Sequence, residues 1–560
     1  MGRQQTRQKR ALPWLAVLTT VLLGALVLCG LCSLVYQVAL RDRQKAQGGN
    51  EVTLRIAYSP DKEVLFQELV KRFNNSKARS QNGKRIVVVA SAVEPELMLT
   101  AATQGEFDAL CPDSSIWLAQ LEFDWQESHG SESSIVGDTT RFAVSPIVIA
   151  MWADTARSMG YPDKAIGWMD LLNLARGNPD FRWSHPSTSS ASGLLATLAT
   201  FYAGAGKTRG LTVDDVTKQS TLDYVAALEK TVRYYGEGER AVIQQVAEKG
   251  RSYLDAFVVQ EQLLIQYNRG HSDKLVAIYP VEGATWADHP LVFLERAEVT
   301  ADVRDAYHRF CDLLLSPEAQ ALVLSSGYRP TDLSIPLDSV ASPIKLALGV
   351  DPSQPKTTLQ IPGPTVIQVV RDVWQYAKRK ANVYLVADVS GSMQGKKLEQ
   401  AREAFLTFLD MIKGDQESVG LVVFSSSEVL AEPLAELGQN RARLKAQIES
   451  LSAGGDTALL DAVNLAYERL QQVGDKERIN AIVVMTDGRE NNSSIRLKDL
   501  TSKMRRENQS GVSVVVFCVA YGDDAEIDTL EQLSSVTGGQ TRRGSTATIQ
   551  ELYKLLSTYF

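Results

Sequence analysis

The sequence predicts an α/β protein with two folded units behind one N-terminal membrane-spanning helix. Its 560 residues exceed what one hydrophobic core supports, because single cores stop growing near about 250 to 300 residues. Strand-like apolar runs alternate with helix-like patterns in both halves of the chain, as in sheets covered by helices. A charge-free apolar run opens the chain, and a proline-rich stretch separates the two halves.

The composition indicates ordinary folded domains and argues against nucleic acid as a partner. The chain is 44% hydrophobic and 22% charged, which is typical of soluble domains. Its formal net charge of -7 provides no overall basic field to attract a phosphate backbone. We therefore expect protein, small-molecule and membrane partners, and no nucleic acid.

Residues 11–40 predict a membrane anchor. This run contains no charged residue and exceeds the roughly 20 residues that cross a bilayer as a helix. A cleaved signal peptide is the alternative, but its apolar core should span only about 7 to 15 residues. Basic residues are slightly more frequent before the run than after it, which places residues 1–10 in the cytoplasm. We expect a single-pass signal anchor in the cell membrane, with the bulk of the chain extracytoplasmic.

Residues 51–335 alternate between strand and helix patterns. Strands are predicted at 53–58, 85–90 and 107–110, and a helical pattern follows each of them. Such alternation predicts a parallel sheet covered by helices.

Several phrases in this region resemble a known family. They read RFAVSPIVIAMW, HPSTSSASGLLATLATFYAGAG, VVQEQLLIQYNRG, IYPVEGATWADHP and SPEAQALVLSSGYRP. Together they resemble the periplasmic solute-binding proteins of ABC transporters, especially those that hold molybdate, sulfate, phosphate or iron. The resemblance implies two α/β lobes with a ligand between them. It also implies chain crossings between the lobes, which we expect near 140–145 and 269–275.

A serine-rich segment ahead of an apolar helix is the first candidate for ligand contact. Ser190, Ser192 and Gly193 lie where hydroxyl and N–H groups at a helix N-terminus suit an anion. The alternative is that a serine only caps the helix.

Three further residues are candidates for ligand contact. Ser59 and Ser114 each follow a predicted strand, at the sheet edge where open α/β folds bind ligands. Ordinary turn chemistry explains them equally well. Glu282 lies in the VEG phrase, where the resemblance implies an approach to the ligand, and a solvated loop carboxylate is the alternative.

Residues 336–380 form a proline-rich linker. Dense proline prevents long regular elements, so we expect a semi-rigid tether that ends in a short amphipathic helix near 366–378.

The C-terminal region, 381–560, predicts a doubly wound, Rossmann-like sheet. Apolar runs at 383–387, 419–424, 482–485 and 512–520 are typical of strands buried on both faces, and amphipathic helical patterns lie between them.

Three loops of this region carry oxygen ligands at the ends of predicted strands. Asp388, Ser390 and Ser392 form DVSGS, Thr457 ends GGDT, and Asp487 begins DG after the third strand. Carboxylate and hydroxyl oxygens suit Mg²⁺, Mn²⁺ or Ca²⁺. The pattern resembles the metal-ion-dependent adhesion site of von Willebrand factor type A (VWA) domains. The resemblance implies that these five residues hold a divalent cation, Mg²⁺ before Mn²⁺ or Ca²⁺, directly or through water.

This combination predicts a binding protein and not an enzyme. The sequence beside the metal motif offers no nucleophile and base pair, and residues 381–560 contain no histidine. A cation with neutral hydroxyl ligands keeps positive character, so an acidic residue of a protein partner can complete its shell. The other domain would bind a small molecule. The serine-rich segment favours an anion as that molecule.

Alternative functions stay open at this point. The chain could be the substrate-binding component of an ABC-type transport system, with the VWA domain as its docking module. An assembly chaperone that serves a separate ATP-driven machine is a third hypothesis.

Overall fold

The computed structural model describes residues 50–544, except residues 131, 237, 413, 523 and 524. The predicted anchor at 11–40 and the chain beyond residue 544 lie outside the described residues. Within the described part of the chain, no helix is both long enough and apolar enough to cross a membrane.

The chain begins in the first lobe with alternating strands and helices, as predicted. The elements are β1 (Glu51–Tyr58), α1 (Glu63–Ser76), β2 (Arg85–Ala92), α2 (Pro95–Thr103), β3 (Ala109–Cys111), α3 (Ile116–His129) and β4 (Val136–Arg141). β1 is parallel to both β2 and β3. Leu54 and Ile56 of β1 are completely buried beneath Phe66 and Leu69 of α1, so apolar alternation on the strand and periodicity on the helix build this core.

The chain then crosses into the second lobe. Its elements are β5 (Ala143–Trp152), α4 (Ala153–Ser158), α5 (Trp168–Gly177), β6 (Trp183–Pro186), α6 (Ala191–Ala205), α7 (Val213–Thr217), α8 (Gln219–Glu229), β7 (Val232–Gly236), α9 (Glu239–Lys249), β8 (Ala256–Gln260), α10 (Glu261–Gly270), β9 (Leu275–Ile278) and β10 (Trp286–Ala287). The sheet order is β10-β5-β8-β6-β7, with β9 also paired to β5. The first crossing falls inside the predicted 140–145 window.

The chain returns to the first lobe later than the sequence suggested. The elements are β11 (Pro290–Leu294), α11 (Ala301–Leu314) and α12 (Pro317–Ser325), after which β12 (Arg329–Pro330) pairs with β5 of the second lobe. β11 completes the first sheet in the order β2-β1-β3-β11-β4. The crossing expected at 269–275 was wrong, because β9 pairs with β5 and stays in the second lobe. The chain crosses instead between β10 and β11.

The proline-rich segment lies along the second lobe. Leu359 N donates to Ala284 O at 2.9 Å, and Tyr202 Oη donates to Gln360 O at 2.6 Å. The segment ends in helix α13 (Pro364–Ala377), which matches the predicted amphipathic helix. The buried side chains of α13 are Ile367, Val370 and Trp374. Backbone hydrogen bonds and buried side chains therefore hold the segment against the lobe.

The C-terminal domain is doubly wound, as predicted. Its elements are β13 (Ala381–Asp388), α14 (Lys396–Met411), β14 (Ser418–Phe424), β15 (Glu428–Glu436), α15 (Leu437–Glu449), α16 (Leu459–Val473), β16 (Ile479–Thr486), α17 (Leu497–Ser510), β17 (Val514–Tyr521), α18 (Ile527–Thr537) and β18 (Thr541–Gly544). The sheet order is β15-β14-β13-β16-β17-β18, and only β15 is antiparallel to its neighbour. α14 and α15 cover one face, and α16, α17 and α18 cover the other.

The amino-terminal edge of this sheet faces the second lobe. Arg379, just before β13, donates from its guanidinium to Val232 O and to Glu477 O, each at 2.9 Å. Arg233 of the second lobe contacts Ser513, just before β17. The carboxyl ends of the parallel strands therefore lie at the edge that points away from the second lobe.

Candidate functional site

Three loops meet at the carboxyl edge of the C-terminal sheet. Asp388 ends β13, and Asp487 directly follows β16; the two residues are 1% and 0% exposed. The loop before α16 joins them, since Gly391 N donates to Gly455 O at 3.0 Å. The strand order therefore gathers loops that are distant in sequence into one site.

Two hydrogen bonds hold the Asp388 carboxylate in place. Its Oδ1 accepts a hydrogen bond from Ser390 N at 2.7 Å, and its Oδ2 accepts one from Thr486 Oγ1 at 2.5 Å. Burial raises the pKa of Asp388, although these hydrogen bonds partly offset the effect. A cation beside this carboxylate would relieve the cost of burying its charge.

The three predicted hydroxyl groups converge beside the carboxylates. Ser390 Oγ and Ser392 Oγ are 3.0 Å apart, and Ser392 Oγ donates to Asp487 Oδ1 at 2.6 Å. A Cβ placed on Gly488 would lie 3.0 Å from Thr457 Oγ1 and 3.5 Å from Ser392 Oγ. Gly488 therefore keeps open the space that these two hydroxyls share.

The assembled residues fit a hard divalent cation. The structure brings Asp388, Ser390, Ser392, Thr457 and Asp487 to one sheet edge, and all five present oxygen atoms. The described residues contain no group of three or more His, Cys, Asp or Glu side chains arranged to hold a metal ion. The predicted set draws on only two such residues, because its other three members are hydroxyls.

One charged residue of the site was missed by sequence reasoning. Lys397, in the first turn of α14, contacts Asp487 Oδ2 with its ammonium group. The Lys397 side chain is 30% exposed, whereas the Asp487 side chain is 0% exposed. The helix dipole disfavours a positively charged side chain at a helix N-terminus. The unfavourable position of this lysine was the sequence signal that it has a specific role.

The serine-rich segment of the second lobe provides the cap of the helix that follows it. Ser190 Oγ accepts from Gly193 N at 3.1 Å and caps α6. A Cβ on Gly193 would lie only 1.9 Å from Ser187 O, so the loop requires glycine there. The Ser192 hydroxyl is fully buried and forms no hydrogen bond with the described residues.

The remaining cleft candidates also fall into two groups, those whose side chains form hydrogen bonds and those whose side chains form none with the described residues. Ser114 Oγ accepts from Ile116 N at 3.3 Å at the start of α3. Glu282 accepts from Trp168 N with its two oxygens, at 3.1 and 3.2 Å, and caps α5. The Ser59 hydroxyl is buried and has no hydrogen-bond partner among the described residues. Ser59 and Ser192 are thus the candidates whose side chains are not already engaged.

A cavity of about 740 Å³ lies where the two lobes meet the C-terminal domain. Asp61 and Asp113 line it from the first lobe, and Ser190 lines it from the second. Ser534 and Arg542 of the C-terminal domain form a third wall. The cleft between the lobes is therefore continuous with the surface of the other domain.

Comparison with known families agrees with this architecture. Residues 54–329 match the family model of bacterial extracellular solute-binding proteins. Residues 382–554 match the von Willebrand factor type A domain. The chain therefore joins a solute-binding domain to a VWA domain. Domains of both kinds are typically non-catalytic binding modules.

Individual relatives cover the two parts unequally. Inter-alpha-trypsin inhibitor heavy chain H4 of Sus scrofa is 28% identical over 177 residues, which are 31% of this chain and 19% of that protein. An uncharacterized protein of Mycobacterium tuberculosis is 22% identical over 475 residues, which are 79% of this chain and 66% of that protein. The chain thus spans about a fifth of the heavy chain and just under two thirds of the mycobacterial protein.

Two solved structures resemble the two domains separately. A von Willebrand factor type A protein from Catenulispora acidiphila is 22% identical with a TM-score of 0.29, covering 32% of this chain and 43% of that one. The sulfate-binding protein SubI from Mycobacterium tuberculosis is 18% identical with a TM-score of 0.36, covering 51% of this chain and 88% of that one.

Proposed function

We propose that this protein is a membrane-anchored, extracytoplasmic binding protein. Its VWA domain holds a divalent cation, Mg²⁺ before Mn²⁺ or Ca²⁺, and binds an acidic group of a protein partner through it. Its solute-binding domain binds a small ligand in the cleft. The observation that carries the proposal is the convergence of two carboxylates and three hydroxyls at one sheet edge.

The residues of the metal site contribute two kinds of oxygen ligand. Asp388 and Asp487 supply negative charge from buried positions, and the hydroxyls of Ser390, Ser392 and Thr457 add neutral oxygen atoms. Ser392 is exposed, so one side of the site is open to solvent. A bound divalent cation supplies a positive charge that an acidic side chain of a partner can join there.

The position of the VWA domain favours access by a partner. Arg379 fastens the amino-terminal edge of the sheet to the second lobe through Val232 O. The metal ligands lie at the opposite edge, at the ends of β13 and β16. A protein partner can therefore approach the site without displacing the solute-binding lobes.

The membrane location rests on the sequence. Residues 11–40 are uncharged and long enough to span a bilayer, and the solute-binding family matched by 54–329 is described as extracellular. Protease treatment of intact cells, with the full chain tagged at its C-terminus, tests the orientation. Loss of the tag without lysis supports it, and protection of the tag until lysis contradicts it.

The metal site is tested by thermal unfolding of the full chain with and without Mg²⁺. We expect Mg²⁺ to raise the melting temperature of the wild type and not that of Asp388→Asn, because the amide keeps the contacts to Ser390 N and Thr486 Oγ1 but removes the charge. Asp415→Asn is the matched control, since Asp415 is an exposed carboxylate of the same domain. An equal response to Mg²⁺ in wild type and Asp388→Asn would show that the assignment is wrong.

A further inference from the structure

Residues 71–85 form a basic edge at the amino-terminal end of the first sheet. The carboxyl half of α1 reaches this end, and the turn after the helix leads into β2 at Arg85, which pairs with Glu51 at the start of β1. The segment contains six basic residues and no acidic one, although the whole chain has a net charge of -7. The six residues are Lys71, Arg72, Lys77, Arg79, Lys84 and Arg85.

Hydrogen bonds fix the turn of the basic edge. Gly83 N donates to Ser80 O at 2.8 Å, and Arg79 Nη1 donates to Gly83 O at 2.7 Å. Arg85 N donates to Asn50 O at 2.8 Å, which fastens the turn beside the start of β1. The basic side chains are therefore arranged around the point where the chain enters the first lobe.

Carboxylates of the first lobe neutralise only part of this charge. Three of them pair with the basic edge, and a fourth nearby carboxylate, Asp305, lies 3.7 Å from its own partner Arg309. Six basic side chains against three carboxylates leave three positive charges in excess. The pairs are Lys84 with Asp302 at 2.8 Å, Arg85 with Glu51 at 3.4 Å, and Arg72 and Lys71 with Glu68 at 2.9 and 3.9 Å.

Two of the basic side chains are open to an external partner. Lys77 and Arg79 are exposed, and neither forms an ion pair with a carboxylate in the part of the chain that the structure describes. The dipole of α1 favours basic residues near its carboxyl end, but Arg79, Lys84 and Arg85 lie beyond the helix. The helix alone therefore does not account for the basic edge.

The sequence places this edge close to the predicted membrane anchor. Only residues 41–50 separate the apolar run from β1, and ten residues of extended chain reach at most about 35 Å. This link carries Arg41, Arg43 and Lys45 against one acidic residue, Asp42. A link this short holds the basic edge near the bilayer, so that even a weak attraction acts at a high effective concentration.

We propose that the basic edge lies on the anionic phospholipid surface of the bilayer that holds the anchor. The proposal rests on the proposed function, which places residues 11–40 in the membrane. Anionic headgroups attract basic residues that lie within about a Debye length of the surface. The eight residues of β1 put about 26 Å between this edge and the carboxyl end of the strand, where the chain continues into the cleft. Docking in this way leaves the cleft clear of the bilayer.

Energy transfer from the basic edge to labelled lipid headgroups tests this proposal in proteoliposomes of the full chain. Gln81→Cys carries the donor, because Gln81 is exposed in the turn and the cysteines among the described residues are buried. We expect transfer at least about twofold higher in vesicles of equal phosphatidylglycerol and phosphatidylcholine than in phosphatidylcholine alone. About 1 M salt should remove the difference, since it shortens the Debye length to about 3 Å. The wild type, labelled in parallel, corrects for reaction at Cys29 and Cys32.

Charge reversal at the two exposed residues identifies the surface that is responsible. Lys77→Glu/Arg79→Glu, made together with Gln81→Cys, should lower transfer in the mixed vesicles to the value in phosphatidylcholine. Lys218→Glu/Lys230→Glu is the matched control, because it changes the net charge equally at exposed lysines of the second lobe. Equal transfer in the two kinds of vesicle, or unchanged transfer after charge reversal at the edge, would overturn the proposal. Transfer that follows protein density and not phosphatidylglycerol would overturn it in favour of a second copy of the chain.

Flotation of the same vesicles separates this failure from failure of the proposed function. If the chain floats with the vesicles but transfer does not depend on phosphatidylglycerol, the anchor stands and the docked edge is wrong. If the chain does not float, both the anchor and the docked edge are wrong. The comparison of lipids needs only Gln81→Cys, which keeps the backbone hydrogen bond from residue 81 to Asp305 at 2.8 Å.

Discussion

The ammonium group of Lys397 contacts Oδ2 of Asp487, whose other oxygen accepts a hydrogen bond from Ser392 Oγ at 2.6 Å. The contact neutralises a fully buried carboxylate that belongs to the predicted metal set. A divalent cation that binds here must share this carboxylate with Lys397 or displace the lysine. At the proposed metal site, Lys397 would therefore compete with a cation for Asp487.

Replacing Lys397 by Met should raise the affinity for Mg²⁺ by about two- to fivefold. The methionine keeps the apolar length of the side chain and removes one positive charge, and a partly exposed ion pair of this kind is worth up to about 1 kcal/mol. Isothermal titration calorimetry of the full chain measures the change. Lys396→Met is the control, because Lys396 is exposed and adjacent. Weaker Mg²⁺ binding in Lys397→Met would mean that the lysine positions Asp487 for the metal and does not compete with it.

Gly488→Ala should weaken Mg²⁺ binding at least threefold without changing any charge. The added methyl group would lie 3.0 Å from Thr457 Oγ1 and 3.5 Å from Ser392 Oγ, and so would push apart the two hydroxyls that share this space. Gly454→Ala, in a neighbouring loop, is a matched control, because a Cβ there meets no atom within 4 Å. Equal Mg²⁺ affinities in the two variants would show that Thr457 and Ser392 do not hold the ion together.

The two carboxylates of the candidate metal site could be predicted from the sequence for a physical reason. Asp388 and Asp487 each come at the end of an uninterrupted apolar strand, and parallel strands bring their carboxyl ends to one edge. Local sequence therefore encodes the positions of these two carboxylates. Lys397 lies in a helix start instead, where only its unfavourable charge against the helix dipole hints at a specific role.

The cleft candidates are harder to separate by sequence alone. Ser190 and Glu282 were candidates for ligand contact, and in the structure both accept hydrogen bonds from backbone N–H groups at helix starts, because the groups that suit a ligand also suit free backbone N–H groups. Asp61, Asp113 and Lys249 come from segments with no shared spacing, so only the folded chain shows that they line one cavity. The late return to the first lobe was missed because short apolar strands such as β9 do not reveal which sheet they join.

A buried histidine predicts how stability depends on pH. His185 Nε2 lies 3.2 Å from Glu229 Oε2, which also accepts from Tyr235 Oη at 2.7 Å. Burial opposes the charged imidazole, but the charge and hydrogen bond of Glu229 outweigh it and raise the pKa of His185 above its ordinary value of about 6.5. Because the folded state has the higher pKa, the stabilisation is complete below about pH 6.5 and is lost as pH rises through the folded-state pKa.

His185→Gln should therefore flatten the decline of the free energy of unfolding as the pH rises above about 6.5. Chemical denaturation of the full chain at several pH values measures this. His308→Gln is the control, since the His308 side chain is 49% exposed. If His185→Gln and the wild type show parallel pH profiles, the imidazole does not change its charge with Glu229 in this range.

The position of the cavity relative to the metal site predicts that the two sites bind independently. The third wall of the cavity includes Thr541, at the amino end of β18, whereas Asp388 and Asp487 lie at the carboxyl ends of β13 and β16. The eight residues of β13 put about 26 Å of sheet between the two edges. The described residues of that sheet form one continuous parallel ladder from β14 to β18, whereas coupling requires an element with two arrangements that both ligands bias. We therefore expect the affinity for Mg²⁺, measured calorimetrically, to change less than twofold when a ligand occupies the cavity. A larger change would show that closure of the cavity reaches the metal loops, and by linkage Mg²⁺ would then change the affinity for that ligand by the same factor.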